Sequence, residues 1–151
     1  CTLKSIGGLH DNAVHSTSIG SVNIIGCTFD TVGVPVNISL KQDNGIMSVN
    51  VQNCTFINCG HIAADESNDY HAPVRLVNTV SPNSVTGTIS DNTFIGTVGY
   101  NGDIHLGDYR PNKPSEPFSV TVKSKGTTKV YVNGAITTMN DGEAQTFSYK
   151  K

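Results

Sequence analysis

The sequence predicts an all-β chain wound as a parallel β-helix, on three observations. β-branched residues dominate, with Val 16 and Ile 12 against Leu 5 and Ala 6, and such side chains suit a pleated surface better than a helix. Asn 15, Gly 15, Ser 14 and Thr 16 make 60 of the 151 residues, a density of turn-formers that leaves little room for helices. Finally, the chain repeats itself at an interval too long for a hairpin and suited to stacked supersecondary units.

Three segments carry the repeat: Val22-Asn23-Ile24-Ile25-Gly26-Cys27-Thr28-Phe29, Val49-Asn50-Val51-Gln52-Asn53-Cys54-Thr55-Phe56 and Gly87-Thr88-Ile89-Ser90-Asp91-Asn92-Thr93-Phe94. Each reads as a short alternating strand, a turn residue (Gly26, Asn53, Asp91) and a second short strand ending on Phe. The spacings are 27 and 38 residues, and a weaker fourth copy starts at Val120-Thr121-Val122. Inward positions then stack as a Phe29/Phe56/Phe94 ladder and a Cys27/Cys54/Asn92 column. Asn and Gly at the corners supply the positive φ of a tight bend.

A second row of strands follows each copy: Val34 to Leu40, Ala72 to Val77, Gly102 to Leu106 and Thr128 to Val132. Val36/Ile38, Val74/Leu76, Ile104/Leu106 and Val130/Val132 share one face of it. An antiparallel sandwich is the competing β reading, and it explains the repeated Cys-Thr-Phe phase less well. Beyond Val130 the pattern changes. An Asn133-Gly134 turn, a strand over Ala135 to Thr138, an Asn140-Asp141-Gly142 turn and a strand over Ala144 to Tyr149 predict an antiparallel meander. Coils are expected over 1–126 and a cap or oligomerisation element over 127–151, covering an end that would otherwise polymerise.

Lys+Arg 10 against Asp+Glu 12 leaves a net charge of −2, without the basic field that nucleic-acid binding needs. No run approaches the roughly 20 apolar residues of a membrane span, so no membrane insertion is expected. The start at Cys1 is neither an initiator Met nor a signal peptide, so the chain is expected to be a piece of a longer one. Cys1, Cys27, Cys54 and Cys59 have no metal-ligand spacing. Cys27 and Cys54 read as small buried hydrophobes, with a disulfide or zinc site as the alternative, and no cofactor or metal is expected. Asn37-Ile38-Ser39 and Asn53-Cys54-Thr55 match the glycosylation pattern, as chance allows in so Asn-rich a chain.

Candidate chemistry gathers on the second strand row. Asn37, Arg75, His105 and Tyr131 share one outward column, and Pro35, Pro73, Asp103 and Lys129 share the next. Adjacent strands lie about 4.8 Å apart, which makes Arg75 and His105 lateral neighbours with Asp103 two residues along. These side chains are expected to face solvent. Beside them lies the longest insertion, Cys59 to His71, with His61, Asp65, Glu66, Asp69, Tyr70 and His71. Acids, His, Arg and Tyr together bind sugars or perform general acid–base work on a glycosidic bond. Asp103, His105 and Arg75 are therefore the candidate catalytic residues. Asp65, Glu66, Asp69, Tyr70, His71, Asn37 and Tyr131 are the candidate substrate-binding residues. The structural alternative is a solvated loop beside a surface ion-pair network worth under ~1 kcal/mol. His10, Asp11 and His15 are expected in ordinary surface roles. No GxSxG elbow, phosphate loop or dinucleotide fingerprint is present.

Gly26-Cys27-Thr28-Phe29, Asn53-Cys54-Thr55-Phe56-Ile57-Asn58-Cys59 and Asp91-Asn92-Thr93-Phe94 resemble the right-handed β-helix, or pectate-lyase-like, superfamily over about residues 20–132. A β-helix followed by a short meander looks most like the C-terminal part of a phage tail spike or a bacterial surface β-helix protein. The resemblance implies a right-handed parallel β-helix of about four to five coils with a C-terminal antiparallel β-meander cap. It further implies a homotrimer, extracellular or on a virion, that recognises cell-surface polysaccharide. Two alternatives stay open: a depolymerase, hydrolase or lyase, acting on capsule or O-antigen, and a purely structural trimeric stalk or tip. The family's polygalacturonase motifs (NTD, DD, GHG, RIK) and a pectate-lyase calcium cluster are missing. Were the parent an enzyme, its carboxylates would be sought upstream of Cys1.

Overall fold

A computed structural model describes residues 1–4, 12–17, 20–40, 45–60, 72–78, 84–98, 102–107, 117–132 and 134–149. These residues form strands and connections, with no helix among them. In chain order the strands are β1 (Thr2–Lys4), β2 (Val14–Ser16), β3 (Gly20–Ile25), β4 (Thr28–Asp30), β5 (Val36–Leu40), β6 (Ile46–Gln52) and β7 (Thr55–Ile57). Then follow β8 (Val74–Asn78), β9 (Ser84–Ile95), β10 (Ile104–Leu106), β11 (Phe118–Ser124), β12 (Thr128–Val132), β13 (Ala135–Met139) and β14 (Ala144–Tyr149).

Strand pairing follows the repeat. In a first row, β3, β6, the start of β9 and β11 pair in parallel. In a second, β1, β4, β7 and the end of β9 do the same. A third runs β2, β5, β8, β10, β12, again all parallel. Strict alternation sets the inward face of the first row: Met47, Val49 and Val51 on β6, and Phe118, Val120 and Val122 on β11, are all buried.

The corners fall where small or amide side chains allow them. Gly26, Asn53 and Asp91 hold φ of 64, 53 and 57°, and Thr31, Asn58 and Gly96 hold 59, 49 and 62°. Gly, Asn and Asp accept this left-handed region at low cost, whereas a β-branched residue does not. At the exception, Thr31, the hydroxyl donates to Asp30 Oδ1 at 2.9 Å.

Inside the corners the expected ladders form. Phe29, Phe56 and Phe94 pair in register, with ring centroids 5.1 and 5.0 Å apart and planes tilted 14 and 10°. Leu3 extends the same column, because Thr2 and Leu3 pair with Thr28 and Phe29. Cys1-Thr2-Leu3 is thus a Cys-Thr-apolar phrase one copy before Cys27-Thr28-Phe29. None of the four cysteines forms a disulfide. The Cys54 thiol donates to Ile24 O at 3.5 Å and to Gln52 O at 3.3 Å. That of Cys59 donates to Phe29 O and Ile57 O, both at 3.4 Å. Burial pushes both thiols above their ordinary pKa, which leaves them poor nucleophiles.

The C-terminal segment departs from a simple meander. β12 and β13 form the expected antiparallel hairpin, but β14 pairs antiparallel with β11. One hairpin arm therefore ends the third row and the following strand ends the first. The intervening turn docks on Ser124 to Gly126: Asp141 Oδ1 accepts from Gly126 N at 2.7 Å, and Glu143 O accepts from Ser124 N at 2.8 Å.

The third row also departs from expectation on its outer face. All five residues of β5 and all three of β10 are buried, including the alternate positions that point away from the apolar ladder. Asn37, Arg75 and His105 are 9, 6 and 0% exposed. They do not face solvent as the alternation alone suggested, because a strand's period fixes which side a residue takes and not what covers that side.

Candidate functional site

The predicted column exists in register. Asn37 pairs with Arg75, Arg75 with His105, and His105 with Tyr131. His15, expected in an ordinary surface role, extends it by pairing with Asn37. Arg75 Nη1 donates to Asn37 Oδ1 at 2.8 Å, and the His105 ring meets Tyr131 edge-on at a centroid distance of 4.8 Å and 77°. Its Asn37–Arg75–His105 part is a buried polar seam, with exposed His15 at one end and half-buried Tyr131 at the other: a polymer cannot reach a histidine with no exposed surface. Of the remaining candidates, Asp65, Glu66, Asp69, Tyr70 and His71 lie outside the described residues.

Asp103 stands apart from that seam. Its Oδ1 accepts from Thr97 Oγ1 at 2.6 Å and its Oδ2 from the Lys129 amide at 2.8 Å. The Asp103 amide in turn donates to Lys129 O at 2.8 Å, so the two residues clamp one another. Gly102 makes the clamp possible. At φ +67° a Cβ there would lie 2.8 Å from Lys129 O, too close for any side chain. Burial raises the Asp103 carboxyl above the usual carboxylate range, against the opposing pull of the Thr97 hydroxyl, the Lys129 amide and the Lys129 charge. A recess of about 250 Å³ opens beside it, lined by Phe94, Thr97, Gly102, Asp103, Thr127, Lys129 and Ile136. Thr127, Lys129 and Ile136 are exposed at its rim.

The outer face of the first row is the surface that the sequence reading missed. Ser21, Ser48, Thr86, Ser119 and Ser148 form one column across five strands. Asn23, Asn50, Thr88, Thr121 and Thr146 form the next. All ten are at least partly exposed and none is charged. Asn50 Nδ2 donates to Asn23 Oδ1 at 2.8 Å, and the Thr121 and Thr146 hydroxyls bond at 2.9 Å. The signal was present in the repeat itself: the residue between the first two inward positions is Asn23, Asn50, Thr88 or Thr121 in the four copies. At the end of this face Lys123 pairs with Asp91 at 3.4 Å.

No group of three His, Cys, Asp or Glu among the described residues could hold a metal ion, and no described helix is long and apolar enough to cross a membrane. No family model, curated protein or solved structure matches the chain.

Proposed function

We propose that the three strand rows are the faces of a right-handed parallel β-helix of about four to five coils, and that the chain is a polysaccharide-recognising module of an extracellular or virion protein, such as a tail spike or surface adhesin. The order in which the chain visits the rows supports the winding. β3, β4 and β5 belong to the first, second and third rows, and β6, β7 and β8 repeat that sequence.

The observation that carries recognition is the uncharged Ser/Thr/Asn face of the first row. Its groups recur at the strand spacing of about 4.8 Å, and each hydroxyl or amide can both donate and accept. An extended sugar polymer offers the same mixed donors and acceptors at regular intervals. The internal Asn50–Asn23 and Thr121–Thr146 bonds hold the array in place before a ligand arrives, which lowers the ordering cost of binding. The two columns contain no carboxylate, and two-carboxylate hydrolysis needs a pair flanking the bond. Binding is therefore favoured over turnover, and the module is read as one protomer of a homotrimer.

The test is calorimetric titration of the chain with capsular and O-antigen polysaccharides, alongside the double variant Asn50→Ala/Thr88→Ala. Both residues are surface-facing, so the fold should survive. At least a tenfold loss of affinity is expected, and an unchanged affinity removes this face from the reading. New reducing or unsaturated ends in the incubation would favour the depolymerase alternative. The trimer is checked by light scattering at micromolar concentration, where a monomer mass overturns it.

A further inference from the structure

The geometry points to the recess beside Asp103 as a binding site for one neutral, polyhydroxylated ring, a chain end or side branch of the polymer; this rests on the polysaccharide reading above. Its size selects a single ring. At about 250 Å³ it falls below the roughly 300–1,000 Å³ of pockets that hold drug-sized ligands.

Its lining has the two characters that a sugar presents. Phe94 and Ile136 supply apolar surface for the C–H face of a ring, and Ile136 is 48% exposed there. Asp103, Thr97, Thr127 and Lys129 supply the polar side. The Asp103 carboxylate accepts one bond on each oxygen from the protein, while an ionised carboxylate has about four acceptor sites. It therefore keeps lone pairs to take from ligand hydroxyls. The exposed Lys129 ammonium brings three donors. Adjacent hydroxyls on a ring each donate and accept, so a carboxylate in the wall of the recess and an ammonium at its rim match a vicinal diol.

The charges select a neutral ligand. Asp103 and Lys129 cancel one another, and a uronate would set a second carboxylate beside a first that burial already strains toward its neutral form. The geometry is fixed in advance by the reciprocal bonds between Asp103 and Lys129 and by Gly102, whose position admits no side chain. A site locked in this way spends little of its binding energy on ordering itself.

The test is an amide-resolved NMR titration of the full chain with methyl glucoside, methyl galactoside, methyl mannoside and methyl galacturonide. Saturable shifts at Thr97, Gly102, Asp103, Thr127 and Lys129 are expected with at least one neutral glycoside. The exposed-side-chain variants Ile136→Ser and Lys129→Ala should each weaken that binding at least fivefold while leaving the remaining spectrum unchanged. Tighter binding of the galacturonide overturns the neutral class. Polymer binding at the Ser/Thr/Asn face with no glycoside shift at the recess sinks this inference and leaves the wider reading standing. Glycoside shifts at the recess without polymer binding do the reverse, and the absence of both removes the two together.

Discussion

Asn92 occupies the slot that holds Cys27 and Cys54 in the preceding copies, and the exchange is chemically legible. Cys54 Sγ donates to Ile24 O, and Asn92 Nδ2 donates at 2.9 Å to Val51 O, the residue paired with Ile24. The amide then does something the thiol cannot, accepting from Cys54 N at 2.9 Å through Oδ1. Both bonds are buried, and each group left unsatisfied costs about 1–3 kcal/mol. Asn92→Ala should therefore lower unfolding stability by about 3 kcal/mol, and Asn92→Cys, which keeps only the donor, by about half that. Urea denaturation checks the ranking, and equal losses would show that the acceptor contributes nothing. The Cys/Cys/Asn column could be read from the repeat. That the amide would bond in two directions could not, because this depends on a corner whose backbone turns an N–H inward.

At the scale of elements, register was legible and the burial of the third row's outer face was not. The Asn37–Arg75–His105–Tyr131 alignment followed from counting back to Val36, Val74, Ile104 and Val130, which the ladders pair as expected. The covering of that outer face had no signature in the strands themselves, since hydrophobic alternation describes a sheet with one wet side. The first row shows the converse. Its outer residues are wet, and reading them as turn-formers hid the columns they make. Gly87 adds a local constraint to this row. A Cβ there would collide with the Val49 carbonyl on β6, so β6 and β9 approach closely at this point. Gly87→Ala should force them apart at a cost of about 1–3 kcal/mol, in the range of other overpacked sites. Hydrogen exchange locates the effect: faster exchange confined to the amides of β6 and β9 is expected, and uniform exchange across all rows would contradict it.

Across the whole molecule the first and third rows end differently from the way they run. Parallel strands give way to antiparallel β13 and β14, whose inward positions mix polar and apolar residues: Val130 pairs with Thr137 and Val122 with Gln145, while Met139 and Phe147 stay buried. The sequence showed the turns of this segment but not their partners, because Asn-Asp-Gly chemistry fixes a reversal and says nothing of which sheet the next strand joins. Removing residues 133–151 should bare the edges of β11 and β12, whose unpaired amides and carbonyls invite other chains. Light scattering should then report a mass above that of the full chain, and an unchanged mass would deny β13 and β14 a capping role.

The order of these pairings also has a consequence in time. Thr28 pairs with Thr55, and Thr55 with Thr93, so each strand docks on a neighbour made one copy earlier rather than on a distant end. A growing chain on the ribosome can lay down one copy upon the last, with little unpaired strand waiting for its partner. The reversal of direction at β13 and β14 interrupts that parallel order. The pairing of the copies thus runs in the order in which they are read.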